Sequence, residues 1–192
     1  MIYETDTNRV LVYEGAAWVM IADTDSPPGM VLIKTQTIGT AVASVEVTDA
    51  FNSDFENYKI IISGGVASTA VDLAFTLGSS ATGYYGGVMY HSYATAGPAT
   101  VNAVGLNNST RFLYAGTGAA GALNSNIDVY SPNVAKITAI TVQYAVMNTS
   151  GSIVNANGFH NAATAYTAFT ITAVTGTMTG GTIRVYGYRN TI

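Results

Sequence analysis

Cysteine is absent from the 192 residues, which excludes disulfides, thiolate metal sites and cysteine nucleophiles. Histidine occurs only as His91 and His160, so one chain cannot assemble a three-histidine metal site. Neither lies in an H-E-x-x-H pattern, and a polar loop position is expected for both. Charge is scarce as well: Asp, Glu, Lys and Arg make up 9% of the chain, against about 25% in ordinary soluble domains. With a net charge of −4 there is no basic stripe to neutralise phosphates, and nucleic acid is not the expected partner. Apolar runs are short, none reaching the roughly 18 residues of a membrane-spanning helix, so no membrane insertion is expected. The first nine positions mix acids and an arginine, unlike the basic-then-apolar order of a signal peptide.

What is present is a chain 48% hydrophobic, with 20 glycines and 13 tyrosines. That hydrophobicity excludes a disordered tail. The shortage of Glu, Lys and Arg disfavours exposed helices, and the wealth of Thr, Tyr and Val suits strands with hydroxylic surfaces. An all-β fold follows, of a size for one domain with a small appendage.

Acidic side chains divide the chain: nine of the eleven lie in the first 56 positions, while five of the seven basic residues lie beyond them. Ile2-Tyr3, Arg9 to Tyr13 and Ala17 to Ile21 read as a tight three-stranded meander, broken by turn residues at 5–8 and at Glu14-Gly15. A piece of about 21 residues cannot bury a core by itself. Its apolar side chains need a neighbour, which makes Val10, Val12, Tyr13 and Trp18 the candidate oligomer or attachment interface. Pro27-Pro28-Gly29 then marks a stiff linker or sharp turn. The expected organisation is a meander over 1–29 and a larger β-domain over 30–192.

Within the larger domain, Val71, Leu73, Phe75 and Leu77 alternate with Asp72, Ala74 and Thr76, the clearest period-two signal in the chain. Val45 and Val47, Tyr58 with Ile60 and Ile62, Ile127 and Val129, and Ile140 to Val146 alternate likewise. Phe112 with Tyr114, Phe169 to Ala173, and 181–189 complete a set of about eight to ten strands. Such a set, joined by Gly-, Asn- and Ser-rich loops, indicates an antiparallel β-sandwich, jelly-roll-like in character. Residues 53–58 are too few to nucleate a helix.

Chemical motifs are few. Gly116-Thr117-Gly118-Ala119-Ala120-Gly121 matches G-x-G-x-x-G, but no helix and no later acidic residue complete a dinucleotide fingerprint, and the segment reads as a loop. G-x-S-x-G is absent. Beyond residue 56 the only carboxylates are Asp72 and Asp128, a poor supply for the paired acids of glycoside cleavage. Neither a catalytic site nor a cofactor or metal is therefore expected. One cluster points to recognition: Tyr84, Tyr85, Tyr90, His91 and Tyr93 fall within ten residues among glycines. Tyrosine offers a flat apolar face and a hydroxyl at low entropic cost, so these five are the candidate ligand-binding residues. The same alternation also fits tyrosines facing a sheet interior or a subunit interface.

Two stretches resemble a known family. Ile2-Tyr3-Glu4-Thr5-Asp6-Thr7-Asn8-Arg9, continuing to Gly15-Ala16-Ala17-Trp18-Val19, is similar to a segment of tailed-bacteriophage tail-fibre and virion structural proteins. Thr179-Gly180-Gly181-Thr182-Ile183-Arg184-Val185-Tyr186-Gly187 resembles the terminal strand of their β-sandwich domains, and Asn57-Tyr58-Lys59-Ile60 fits the same pattern. The resemblance implies a virion structural protein without enzymatic activity, probing the host surface as a homotrimer attached to another virion protein. A host surface glycan is the ligand it implies. In long fibres the first motif follows a shaft, whereas here it comes first, which favours a short tail appendage. A head fibre or capsid decoration protein without receptor binding is the alternative, and a carbohydrate-active enzyme on the same fold is a third.

Overall fold

The alternation anticipated over residues 71–77 is realised except at Ala74: Val71, Leu73, Phe75 and Leu77 are buried and Asp72 is exposed, but Ala74 is buried as well. The same pattern repeats through the chain and leaves no helix among the described residues of the computed structural model, which are 1–4, 9–23, 29–92, 100–119, 121–146 and 151–189. Seventeen strands are present among them. The N-terminal meander comprises β1 (Ile2–Glu4), β2 (Arg9–Tyr13) and β3 (Trp18–Asp23), paired in that order and with no other strand. The linker positions 24–28 lie outside the described residues, and β4 already begins at Gly29.

The larger part contains β4 (Gly29–Thr37), β5 (Ser44–Val47), β6 (Asn57–Ser63), β7 (Val66–Ala67), β8 (Val71–Leu77) and β9 (Tyr84–Ser92). It continues with β10 (Thr100–Ser109), β11 (Phe112–Gly118), β12 (Leu123–Tyr130), β13 (Thr138–Ala145) and β14 (Ser152–His160). It ends with β15 (Phe169–Ala173), β16 (Met178–Thr179) and β17 (Thr182–Arg189). All pairings are antiparallel, and the fold is a β-sandwich. One layer runs β10-β9-β14-β13-β12-β6-β17-β4, and the other runs β11-β8-β15-β5. They join where β11 meets β12, through only two register pairs, Thr117 with Asn124 and Gly118 with Leu123. β7 and β16 form a separate two-stranded ribbon.

Several strands exceed the expected set. β4, β10 and β14 are half-exposed, β10 and β14 with several Asn, and the hydrophobic alternation in their sequences is weak. Between the layers, Phe51 stacks on Phe169 of β15 at 5.6 Å and meets Tyr58 of β6 edge-on at 4.8 Å. Tyr58 is fully buried, its hydroxyl donating to the Asn52 carbonyl at 2.6 Å and accepting from the Asn52 amide at 2.9 Å. That phenol fastens residues 52–55 without a helix, as expected for so short a segment.

The G-x-G-x-x-G match is corrected by the structure: Gly116, Thr117 and Gly118 are the end of strand β11, not a loop. Ser125 on β12 explains why glycine stands at 116, because a Cβ there would fall 2.7 Å from the Ser125 side chain. Glycine serves packing here, with no phosphate cradle.

Candidate functional site

Strand β9 sorts the tyrosine cluster by the pleat. Successive side chains of a strand point to opposite faces, and Tyr84, Val88 and Tyr90 share the inner face while Tyr85, Met89 and His91 share the outer one. Tyr84 is only 2% exposed and its hydroxyl accepts from the Leu77 amide at 2.8 Å. It is a core residue, which removes it from the ligand-binding candidates. Lost hydration above all raises the pKa of its phenol, opposed by the bonds it makes with Leu77 and Ser80. Tyr85 lies outside and stacks on Phe159 of β14 at 5.2 Å and 12°. His91, expected in a loop, is an exposed strand residue opposite Val101 and Ile153. Tyr93 lies outside the described residues.

The outer face around His91 is a shallow apolar saddle on β10, β9 and β14. Gly87, Met89, Ala103, Gly105, Asn155 and Asn157 line it, and Met89 is 59% exposed. The inner-facing Tyr90 looks into something more defined. A concavity of about 240 Å³ opens between the layers, lined by Asp72, Tyr90, Tyr114, Tyr144, Val146, Ser152 and Val154. The small layer supplies Asp72 (β8) and Tyr114 (β11), and the large layer supplies Tyr90, Tyr144, Ser152 and Val154. Tyr144, Val154 and Tyr90 form one row, directly opposite each other across β13, β14 and β9.

Tyr114 reaches this cleft through an irregularity. Between Phe112 and Gly116 the register of β11 against β8 shifts, and Tyr114 takes the left-handed conformation with φ 63°. Bulges of this kind re-aim side chains, and an aromatic residue at positive φ is strained backbone held by its surroundings. Tyr144 is 7% exposed, and its buried hydroxyl has no hydrogen-bond partner among the described residues. Its pKa is raised, first by burial and then by the charge of Asp72. Tyr114 is shifted upward for the same reasons in the same order. The walls also raise the Asp72 carboxyl by stripping its hydration. Asp72 makes no side-chain hydrogen bond or ion pair among the described residues, and no cationic side chain lines the cleft. Tyr114, Tyr144 and Ser152 were not among the sequence-derived candidates. No local pattern marks them, since Tyr144 reads as one more core residue of an alternating strand.

The second carboxylate behaves differently. Asp128 on the outer face of β12 pairs with Lys59 at 3.0 Å and accepts from the Tyr188 hydroxyl at 2.7 Å. Asp72 and Asp128 thus occupy different layers and form no acid pair. His160 also departs from expectation: it closes β14, is 2% exposed and is not a loop histidine. Its Nε2 lies 3.0 Å from the Thr82 carbonyl and 2.7 Å from Ser80 Oγ. A carbonyl only accepts, so Nε2 carries the proton and Nδ1 is left to accept from the Tyr166 hydroxyl at 3.4 Å. The nitrogen beside Ser80 therefore has no lone pair with which to activate that hydroxyl. Burial lowers the His160 pKa, opposed by the bond to Thr82.

In the meander, Val10 and Val12 are half-buried, whereas Tyr13 and Trp18 are exposed and in contact at 5.3 Å. Ile2, Tyr3, Val19 and Ile21 are exposed too, Ile21 by 56% and Trp18 by 49%. No group of three or more metal-ligating side chains occurs among the described residues.

No family model and no curated protein matches the chain. Among solved structures it is similar to a chain of infectious bursal disease virus, Gt strain, with 10% identity and a TM-score of 0.14, covering 97% of this chain and 49% of that one. The VP2 subviral particle of the same virus gives 9% identity and a TM-score of 0.14, covering 95% of this chain and 47% of that one. This chain spans about half the length of those viral chains. A likeness at that TM-score carries no argument about function.

Proposed function

We propose that the chain is a non-enzymatic structural subunit of a bacteriophage particle, a homotrimer whose N-terminal sheet assembles or attaches it and whose sandwich is displayed for host-surface recognition. One observation carries the assembly part of this reading. The sheet β1-β2-β3 leaves Tyr3, Tyr13, Trp18, Val19 and Ile21 exposed and pairs with no strand of the sandwich. A three-stranded sheet this small, with apolar side chains exposed on both faces, is marginal in water until they are covered. Symmetric association of identical copies covers it with its own kind, and the resemblance of residues 2–19 and 179–187 to phage fibre proteins supports three copies and a virion location. The scarcity of charge on the sandwich suits contacts through aromatic rings and neutral hydrogen bonds, which salt screens little.

Light scattering on the full chain is expected to give three times the mass of one chain, and Tyr13→Ala/Trp18→Ala is expected to dissociate it while the sandwich stays folded. A monomeric wild-type chain overturns the trimer. Particles lacking the protein are expected to adsorb poorly to host cells. Normal adsorption would remove the recognition role and leave a decoration or attachment subunit.

A further inference from the structure

We infer that the cleft between Asp72, Tyr90, Tyr114 and Tyr144 is a binding site for a protonated amine carried on a group the size of one sugar ring. The site stands on its own geometry and does not depend on where in a particle the chain sits. Its volume of about 240 Å³ is below the roughly 300–1,000 Å³ of sites for drug-sized molecules. One ring with its substituents is the largest occupant it takes.

The chemistry of the walls selects the charge. Three phenol rings gather around one carboxylate with no cation opposite it. The Asp72 carboxylate, exposed to solvent on one side and partly dehydrated by the cleft walls, has no charged or hydrogen-bonding side-chain partner among the described residues, and an ammonium group supplies one. Aromatic faces attract the same cation through their quadrupoles, more strongly in a partly dehydrated cleft. A neutral ring would gain the stacking but leave Asp72 unpaired.

A second observation concerns Tyr144. Its hydroxyl is buried, belongs to a residue only 7% exposed, and has no hydrogen-bond partner among the described residues. Buried polar groups are nearly always hydrogen-bonded, and each exception needs a reason. A ligand N–H or O–H directed at this oxygen supplies one. The strained backbone at Tyr114, φ 63°, adds to this, because it holds that ring against the cleft at an energetic disadvantage that an ordinary strand residue would avoid. The Ser152 side chain at the rim gives the ring hydroxyls a further neutral partner.

The test uses the full chain and three probes: glucosamine, glucose and N-acetylglucosamine, each titrated at neutral pH and followed by tyrosine ring proton shifts. Glucosamine is expected to bind at least tenfold more tightly than glucose or the acetylated sugar, shifting Tyr90, Tyr114 and Tyr144. Asp72→Asn is expected to abolish that preference, and Tyr144→Phe to weaken glucosamine by about tenfold, the size of one lost hydrogen bond. Equal binding of the three probes overturns the proposal, as does the absence of shifts at tens of millimolar glucosamine. Retention of the preference in a folded Asp72→Asn chain overturns it as well. The wild-type comparison needs no variant, so a variant that fails to fold leaves the decision intact. Failure here leaves the trimer reading untouched, since that is read from mass.

Discussion

The ring of Phe112 on β11 occupies the space where Gly158 on β14 would carry a Cβ, so the two layers of the sandwich approach each other through a missing side chain. Gly86 on β9, beside Gly158 in register, is also close, its missing Cβ lying 2.8 Å from the same ring. Glycine is disfavoured in strand interiors, and here close packing of an aromatic residue offsets that cost.

Gly158→Ala is therefore expected to destabilise the protein by about 1–3 kcal/mol through overpacking, with the strain falling on Phe112 and on the Tyr85 backbone. Urea unfolding measures it. A loss below about 0.5 kcal/mol, the size of an ordinary surface change, would mean that the layers can separate freely at this point.

His160 makes stability depend on pH. Its folded pKa is lowered by burial, so below the ordinary imidazole value of about 6.5 the unfolded chain binds the proton more readily. Stability from this group is complete above that pH and is lost as pH falls toward the lowered value. The groups packed around it are Ser80, Thr82, Tyr84 and Tyr166, none of them charged at neutral pH. In His160→Gln the slope of stability between pH 7 and 5 is expected to flatten, and an unchanged slope would assign it to other groups.

Asp72 has the opposite sign. Its carboxyl pKa is raised in the folded chain, so the ionised group weakens the fold at neutral pH and the penalty lifts as pH falls. Asp72→Asn is expected to raise Tm slightly. Thermal unfolding followed by circular dichroism decides it, and a fall in Tm would show an unrecognised favourable role for the charge.

Lys59, Asp128 and Tyr188 form a linked set on the outer face, with Lys59 also donating to Asn126 at 2.7 Å. The Tyr188 phenol is pushed up by burial and by the Asp128 charge, and donates throughout the neutral range. A double-mutant cycle with Lys59→Met and Tyr188→Phe is expected to return a coupling of about 0.5–1 kcal/mol through Asp128. Zero coupling would mean each contact is made independently.

The strands with strong alternation were legible in one dimension because a buried face leaves a period of two. Leu73, Phe75 and Leu77 needed no partner to be recognised, and neither did Ile140 and Val142. β10 and β14 were not legible: β10 is exposed along most of its length, and β14 sets Asn155 and Asn157 in water while Gly158 leaves room for Phe112 to approach. The cleft was half visible. Tyr90 lay in a cluster of tyrosines, but that cluster belongs to two faces of one strand, and Asp72 stood out only as a carboxylate without a mate.

Composition and periodicity alone determined that this chain is all-β, that its charge is sparse, and that its N-terminal strands form a small meander apart from the larger domain. Those properties depend on residue type and on spacing within a single strand. Tertiary structure decided which tyrosines meet. Tyr144, Val154 and Tyr90 share a row only because three strands align in one register, and Tyr114 joins them only through the bulge in β11. Pairing partners lie tens of residues apart, and a shift of one residue in any strand would turn each ring to the opposite face.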